Sequence, residues 1–156
     1  MIKAFDDIKK EILQYLFEHY MQSATGHYSI AQILDAYEVD NADFINILQQ
    51  DGLISEGVAD ETHATYAITI AGINEIEPDY FADRLASVMN ELGLSNKEWV
   101  TVSEVTGIQD YQRVHDIGTV LSLTEYFEVI VKPEEVLAKL TPQGWTYFEQ
   151  HKKEFV

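Results

Sequence analysis

The feature that most constrains this chain is a repeat. Ile68-Thr69-x-x-Gly72-Ile73-x-x-Ile76-Glu77 recurs 72 residues later as Leu140-Thr141-x-x-Gly144-Trp145-x-x-Phe148-Glu149. In each copy an apolar residue that can end a strand precedes a Thr suited to cap a helix, and two apolar residues follow at helical spacing. Ser29 and Thr101, which both open short helical patterns, share the offset of 72, and Asp40 and Asp110 differ by 70. A near-constant offset points to duplication of one unit of about 75 residues. The boundary falls between Glu77 and Asp79, giving domains 1–78 and 79–156. No Gly/Ser/Pro-rich linker separates them, so a packed pair is expected.

The elements follow the same order in both halves. In the first, Phe5, Ile8, Ile12, Tyr15, Leu16 and His19 recur at helical spacing, with Asp6 or Asp7 as the cap and an end near Met21. His19 reads as a residue at the edge of the core. Ser29-x-x-Gln32 has the pattern of a capping box for a second helix with Ile30, Ile33, Leu34 and Tyr37 on its apolar face. Asp40 caps a third helix, in which Phe44, Ile47 and Leu48 face inward and Gly52 makes the stop. Leu53–Ser55 and Thr65–Ile68 read as strands around a polar loop, and Thr69 opens a short helix.

The second half begins at Pro78-Asp79 with a helix carrying Phe81, Leu85, Val88 and Leu92 and ending at Gly93. Ser95-x-x-Glu98 and Thr101-x-x-Glu104 are both capping-box patterns, the second opening a short helix closed by Gly107. Asp110 caps a helix with Tyr111, Val114, Ile117 and Leu121 inward. Tyr126–Val131 and Glu135–Leu140 read as strands about Lys132-Pro133-Glu134. Thr141-Pro142 then starts a final helix that buries Trp145 and Phe148 on one face. The expected class is α+β and mostly helical: three helices, a hairpin and a short helix, twice over.

Composition narrows what such a chain can do. Ten basic residues stand against 27 acidic ones, net −17, a surface that repels phosphate backbones and anionic membranes. There is no cysteine, which removes disulfides, thiolate zinc sites and thiol catalysis. No apolar run approaches the roughly 18–20 residues of a membrane span, and MIKAFDDIKK lacks the apolar core of a signal peptide. A cytoplasmic protein is expected. None of the five histidines forms an H-x-x-x-H or H-E-x-x-H pair, and Asp60-Glu61-x-His63 reads as a solvated loop rather than a metal site. G-x-S-x-G, P-loop and G-x-G-x-x-G patterns are absent. No catalytic residue, metal or cofactor is expected.

Leu48-Gln-Gln-Asp-Gly52-Leu-Ile54 followed by Tyr66-Ala-Ile-Thr-Ile-Ala-Gly72, with Glu135-Val-Leu-Ala-Lys-Leu-Thr-Pro-Gln-Gly144 in the second half, resembles the winged helix-turn-helix of small bacterial and phage proteins. The resemblance covers nearly the whole chain as two winged-helix domains in tandem. It implies DNA binding by each third helix in the major groove, with the hairpin wing on the backbone. Mapped onto this sequence, the recognition surfaces would be Asn41, Asp43, Asn46, Gln49 and Gln50 in the first half, and Gln112, Arg113, His115 and Asp116 in the second. The wings would present Asp60 and Glu61 in the first half and Lys132 in the second, with Lys139 nearby.

Charge argues against that use. Residues 1–78 hold 3 basic and 14 acidic residues, net −11, and residues 79–156 hold 7 and 13, net −6. DNA affinity rests largely on phosphate contacts from cations, and neither surface has a basic cluster. The expected function is a non-catalytic, regulatory protein-interaction module that docks a basic protein surface. The alternative is a dimeric DNA-binding transcriptional regulator using Arg113 and its neighbours in the second domain.

Overall fold

The computed structural model describes residues 2–37, 41–56 and 65–155. In the first unit, Met1–Pro78, the long apolar stripe forms α1 (Ile2–Gln22), followed by α2 (Ala31–Ala36) and α3 (Asn41–Gln50). Strands β1 (Ile54–Glu56) and β2 (Tyr66–Ile68) pair antiparallel, with Ile54 opposite Ile68, and α4 (Ile70–Ile76) closes the unit. Ile8, Ile12, Leu13 and Leu16 of α1 are buried, as are Leu34, Phe44, Leu48, Ile54, Ile68 and Ile73 from the later elements. Burying this much apolar side chain is what offsets the chain entropy of so small a unit.

The second unit, Asp79–Val156, repeats the order with a shorter first helix, longer hairpin strands and a longer closing helix. It comprises α5 (Asp79–Leu94), β3 (Val100–Thr101), α6 (Val102–Thr106), α7 (Tyr111–Ser122), β4 (Phe127–Val131), β5 (Val136–Leu140) and α8 (Pro142–Phe155). The sheet order is β3-β5-β4, antiparallel throughout. Val88, Leu92, Val114, Ile117, Leu121, Val136, Ala138 and Phe148 fill its core. The class is α+β and mostly helical, with eight helices and two small antiparallel sheets among the described residues. No polar or charged residue is buried among those described, so the acidity lies outside both cores.

One clasp is built twice. Thr69 Oγ1 donates to the Gly52 carbonyl at 2.5 Å and accepts from Gly72 N at 3.0 Å, while Thr69 N donates to Leu53 O at 3.1 Å. Thr141 Oγ1 donates to Glu125 O at 2.6 Å and accepts from Gly144 N at 3.1 Å, while Thr141 N donates to Tyr126 O at 3.0 Å. In each, the Thr caps a helix and also ties it to the residues that enter the hairpin. The glycines are required by close approach: a Cβ at Gly72 would overlap Leu53 O, and one at Gly144 would overlap Tyr126 O. The sheets correspond as well. Tyr28 bridges Tyr66 in the first unit, and Val100 pairs with Ala138 in the second, both positions displaced by 72.

Several details depart from the sequence reading. Helix α1 begins at Ile2, so Asp6 and Asp7 are solvated residues within it rather than caps. Its buried arc is wider than one stripe, and Leu13, Phe17 and Tyr20 are buried too. Ser29 Oγ accepts from Ala31 N at 3.3 Å, but the cap position is Ile30, which has no side-chain capping bond. The bridge from Tyr28 to Tyr66 keeps the chain extended up to that point and delays the helix. Asp40 lies outside the described residues. Ile47 is 40% exposed instead of facing inward.

In the second unit Gly93 does not stop α5. It sits inside the helix, where a Cβ would strike the Phe148 ring, so the glycine serves packing. Ser95-x-x-Glu98 opens no helix. Ser95 Oγ instead donates back to Glu91 at 3.3 Å, beside Lys97 at 2.9 Å. The hydrogen bond and charge of Lys97 hold the Glu91 carboxyl below the usual carboxylate range. Thr101 makes no side-chain cap and belongs to β3, a strand the periodicity does not announce. Gly107 does close α6, at φ 72°, and Asp110 does cap α7. Trp145 is only half-buried, whereas Phe148 is 2% exposed.

Two outcomes follow for urea denaturation. Phe148→Ala should lose about 3–5 kcal/mol and Trp145→Ala distinctly less, because only the first leaves a sealed cavity. Gly144→Ala should lose about 1–3 kcal/mol by overpacking against the Tyr126 carbonyl. Equal losses for Phe148 and Trp145, or a neutral Gly144→Ala, would contradict this packing.

Candidate interaction surface

The helix that would read DNA in the second unit is α7, and its first turn is held from two sides. Asp110 Oδ1 accepts from Gln112 N at 3.0 Å and from Arg113 N at 3.4 Å, satisfying donors that a helix start leaves open. The Tyr111 hydroxyl donates to Lys132 O at 2.6 Å, fastening the tip of the β4–β5 hairpin to the start of α7. The fold therefore brings the first turn of α7 and the hairpin tip side by side.

The cations there are engaged. Arg113 is half-buried, and its Nε and Nη2 donate to the Tyr80 hydroxyl at 3.0 and 2.8 Å. Its guanidinium carbon lies 5.7 Å from the Tyr80 ring centroid, and that of Arg84 lies 4.3 Å away. Tyr80, in the first turn of α5, is buried and is thus contacted by two guanidinium groups. Lys132 Nζ is 3.8 Å from Glu135, both exposed. Lys139 Nζ is 3.3 Å from Glu128 and 5.0 Å over the Trp99 ring. Exposed pairs of this kind contribute little stability, but each sets a carboxylate beside its lysine.

The other predicted positions distribute as follows. Gln112 Nε2 donates to Asp116 at 2.9 Å along α7, so these two side chains are directed at each other. His115 is half-buried, with its ring 6.1 Å from that of Tyr111. In the first unit, Asn41 begins α3, Asp43, Asn46 and Gln50 are exposed, and Gln49 is half-buried. Asp51 and Glu56, which flank the start of the hairpin, are exposed as well. Asp60, Glu61 and His63 lie outside the described residues. The one group that sequence reasoning missed is Tyr80, which no local motif links to a residue 33 positions away.

His19 is half-buried between Tyr15 and Tyr28, with ring centroids 4.3 and 4.4 Å apart, and its Nδ1 lies 2.9 Å from Tyr15 O. Among the described residues no three His, Cys, Asp or Glu side chains are grouped to hold a metal ion. No described helix is long and apolar enough to cross a membrane.

No protein-family model and no curated protein matches the chain. A hypothetical protein from Pyrobaculum spherical virus is similar at 13% identity and a TM-score of 0.31, over 89% of this chain and 96% of that one. At that level of similarity neither fold nor function transfers.

The two hydrogen bonds from Arg113 to Tyr80 predict a coupled contribution to stability. Arg113→Ala and Tyr80→Phe should each lose about 1.5–3 kcal/mol, the range for hydrogen bonds to a charged group. The double variant should lose less than the sum of the two. Strict additivity in denaturation midpoints would show that the pair is not coupled.

Proposed function

We propose that this chain is a non-catalytic pair of winged helix-turn-helix domains that binds a basic protein surface instead of DNA. Support for the fold assignment comes from the shared order of three helices, hairpin and helix, and from the short strand or bridge before the second helix of each unit. The observation that carries the functional reading is the state of the second unit's cations. Arg113, Lys132 and Lys139, which the family would turn toward phosphates, are each held by a phenol or a carboxylate of the same unit.

The first unit supplies the docking face on this reading. Asp43, Asp51 and Glu56 are exposed on α3 and the start of the hairpin, and the sequence from 41 to 56 contains no cation. Carried onto DNA, these carboxylates would meet phosphates with repulsion. Facing Lys or Arg, the same charges speed association and fix orientation. Asn46 and Gln50 would add neutral hydrogen bonds within that face. The DNA-binding alternative needs Arg113 to leave Tyr80 and Lys132 to act beside Glu134 and Glu135.

The test is a fluorescence-anisotropy titration of the full chain against a labelled Lys/Arg-rich helical peptide and a labelled duplex DNA, at low and physiological salt. The expected result is peptide binding that weakens as salt rises, and no duplex binding at either salt. Asp43→Asn, Asp51→Asn and Glu56→Gln together should weaken peptide binding about tenfold or more, consistent with the loss of several charge pairs. Duplex binding that Arg113→Ala abolishes would favour the transcriptional regulator and overturn this reading.

A further inference from the structure

The outer strand of the second unit's sheet carries a pattern that is complementary to itself. Strand β4 is an edge: it pairs with β5 on one side, and among the described residues no strand pairs with the other side. Lys132 N donates to Glu135 O at 2.8 Å and Thr141 N to Tyr126 O at 3.0 Å, both in the register that sets Phe127 opposite Leu140. In an antiparallel ladder, hydrogen-bonded pairs alternate with pairs that are not bonded. Residues 126, 128, 130 and 132 therefore turn their backbone groups toward β5. Residues 127, 129 and 131 turn theirs toward the open edge.

That edge is apolar where most edges are blunted. Ile130 is 41% and Val131 51% exposed, and β-branched residues favour strand pairing. The run is Glu128-Val129-Ile130-Val131-Lys132. Laid antiparallel on a copy of itself and centred on Ile130, it sets Val129 opposite Val131 of the copy, the two positions whose backbone groups point outward. The same register puts Glu128, which already meets Lys139 of its own chain, opposite Lys132 of the copy, and Lys132, which already meets Glu135, opposite Glu128 of the copy, so that each joins an alternating charge row on the face that also carries Ile130. These outer pairs are of the non-bonded kind, in which side chains approach most closely. A shift by two residues loses both charge matches, and Pro133, which lacks a donor, limits extension beyond Lys132.

We infer that two copies of this chain associate through β4, forming a continuous six-stranded antiparallel sheet with twofold symmetry centred on Ile130. The interface is isologous, so the self-complementary charge order is what a closed dimer requires. The inference stands on the strand alone and is independent of what the first unit binds.

Sedimentation equilibrium of the full chain should show a concentration-dependent monomer–dimer equilibrium. Val131→Pro removes an outward N–H that the β4–β5 ladder does not use, so it should leave the fold, monitored by circular dichroism, and abolish the dimer. Lys132→Glu and Glu128→Lys each place two like-charge pairs across the symmetry axis and should weaken self-association about tenfold or more. An equimolar mixture of those two variants restores opposite charges at both positions and should dimerise at least as well as the parent chain. A parent chain that stays monomeric at high concentration would overturn the inference. So would a dimer indifferent to Val131→Pro, or a mixture no better associated than its components.

Discussion

The structure depends on a threonine hydroxyl that works in two directions. At Thr69 and again at Thr141 it donates to a carbonyl on the way into the hairpin and accepts from the first turn of the helix that leaves it. A Ser could make the same bonds, but Thr's β-branch also suits the extended backbone there. Three parts of each unit meet at this point: the exit of the third helix, the end of the second hairpin strand and the closing helix. The glycine three residues on is the steric counterpart, since its missing Cβ lets the helix approach Leu53 O or Tyr126 O. With the hairpin ends held this way, burial of Ile73 in one unit and Phe148 in the other completes the core.

The charge distribution follows from the same economy of burial. No polar or charged residue is buried among those described, so their acids lie on the solvent side. Ten cations cannot neutralise them, and the geometry disposes of several in pairs. Lys9 meets Glu75 at 2.9 Å, and Lys97 meets Glu91 at 2.9 Å. Arg113 is different in kind, because its partner Tyr80 is buried and neutral. The guanidinium stem packs inward while its N–H groups find a phenol oxygen, an arrangement suited to Arg's planar fork. A residue that family resemblance marks for phosphate thus acts as a strut between α7 and α5.

How much of this was legible in the sequence depended on the range of the interaction. Caps and stops within a few residues read correctly, as at Asp110, Gly107, Thr69 and Thr141. So did the inward faces of α5 and α7 at Val88, Leu92, Val114 and Ile117. Errors arose where a long-range contact overrode a local signal. Gly93 has the look of a helix stop but makes room for Phe148, and Ser95-x-x-Glu98 has a cap's spacing but folds back onto Glu91. Strand β3 is only two residues long and exists because β5 pairs with it. At the candidate surface, the exposure of Asp43, Asn46 and Gln50 on α3 was readable, but that of Ile47 and the engagement of Arg113 were not. Its partner lies on another helix, and spacing carries no information about it.

The two units share one order of helices and hairpin and differ most at the hairpin. In the first, β1 ends in exposed Ser55 and Glu56, a short polar edge that discourages strand pairing. In the second, β4 is two residues longer and presents Ile130 and Val131 instead. Extra strand length adds backbone donors and acceptors along an open edge, and apolar side chains there raise the gain from covering it. Among antiparallel neighbours, only a strand with the same Glu-then-Lys order along its own chain sets opposite charges against both Glu128 and Lys132. If the acidic face of one unit engages a basic partner and the apolar edge of the other engages a second copy, the dimer presents two acidic faces at once. Two linked faces bind a partner with paired basic sites far more tightly than one, without any new contact at either face.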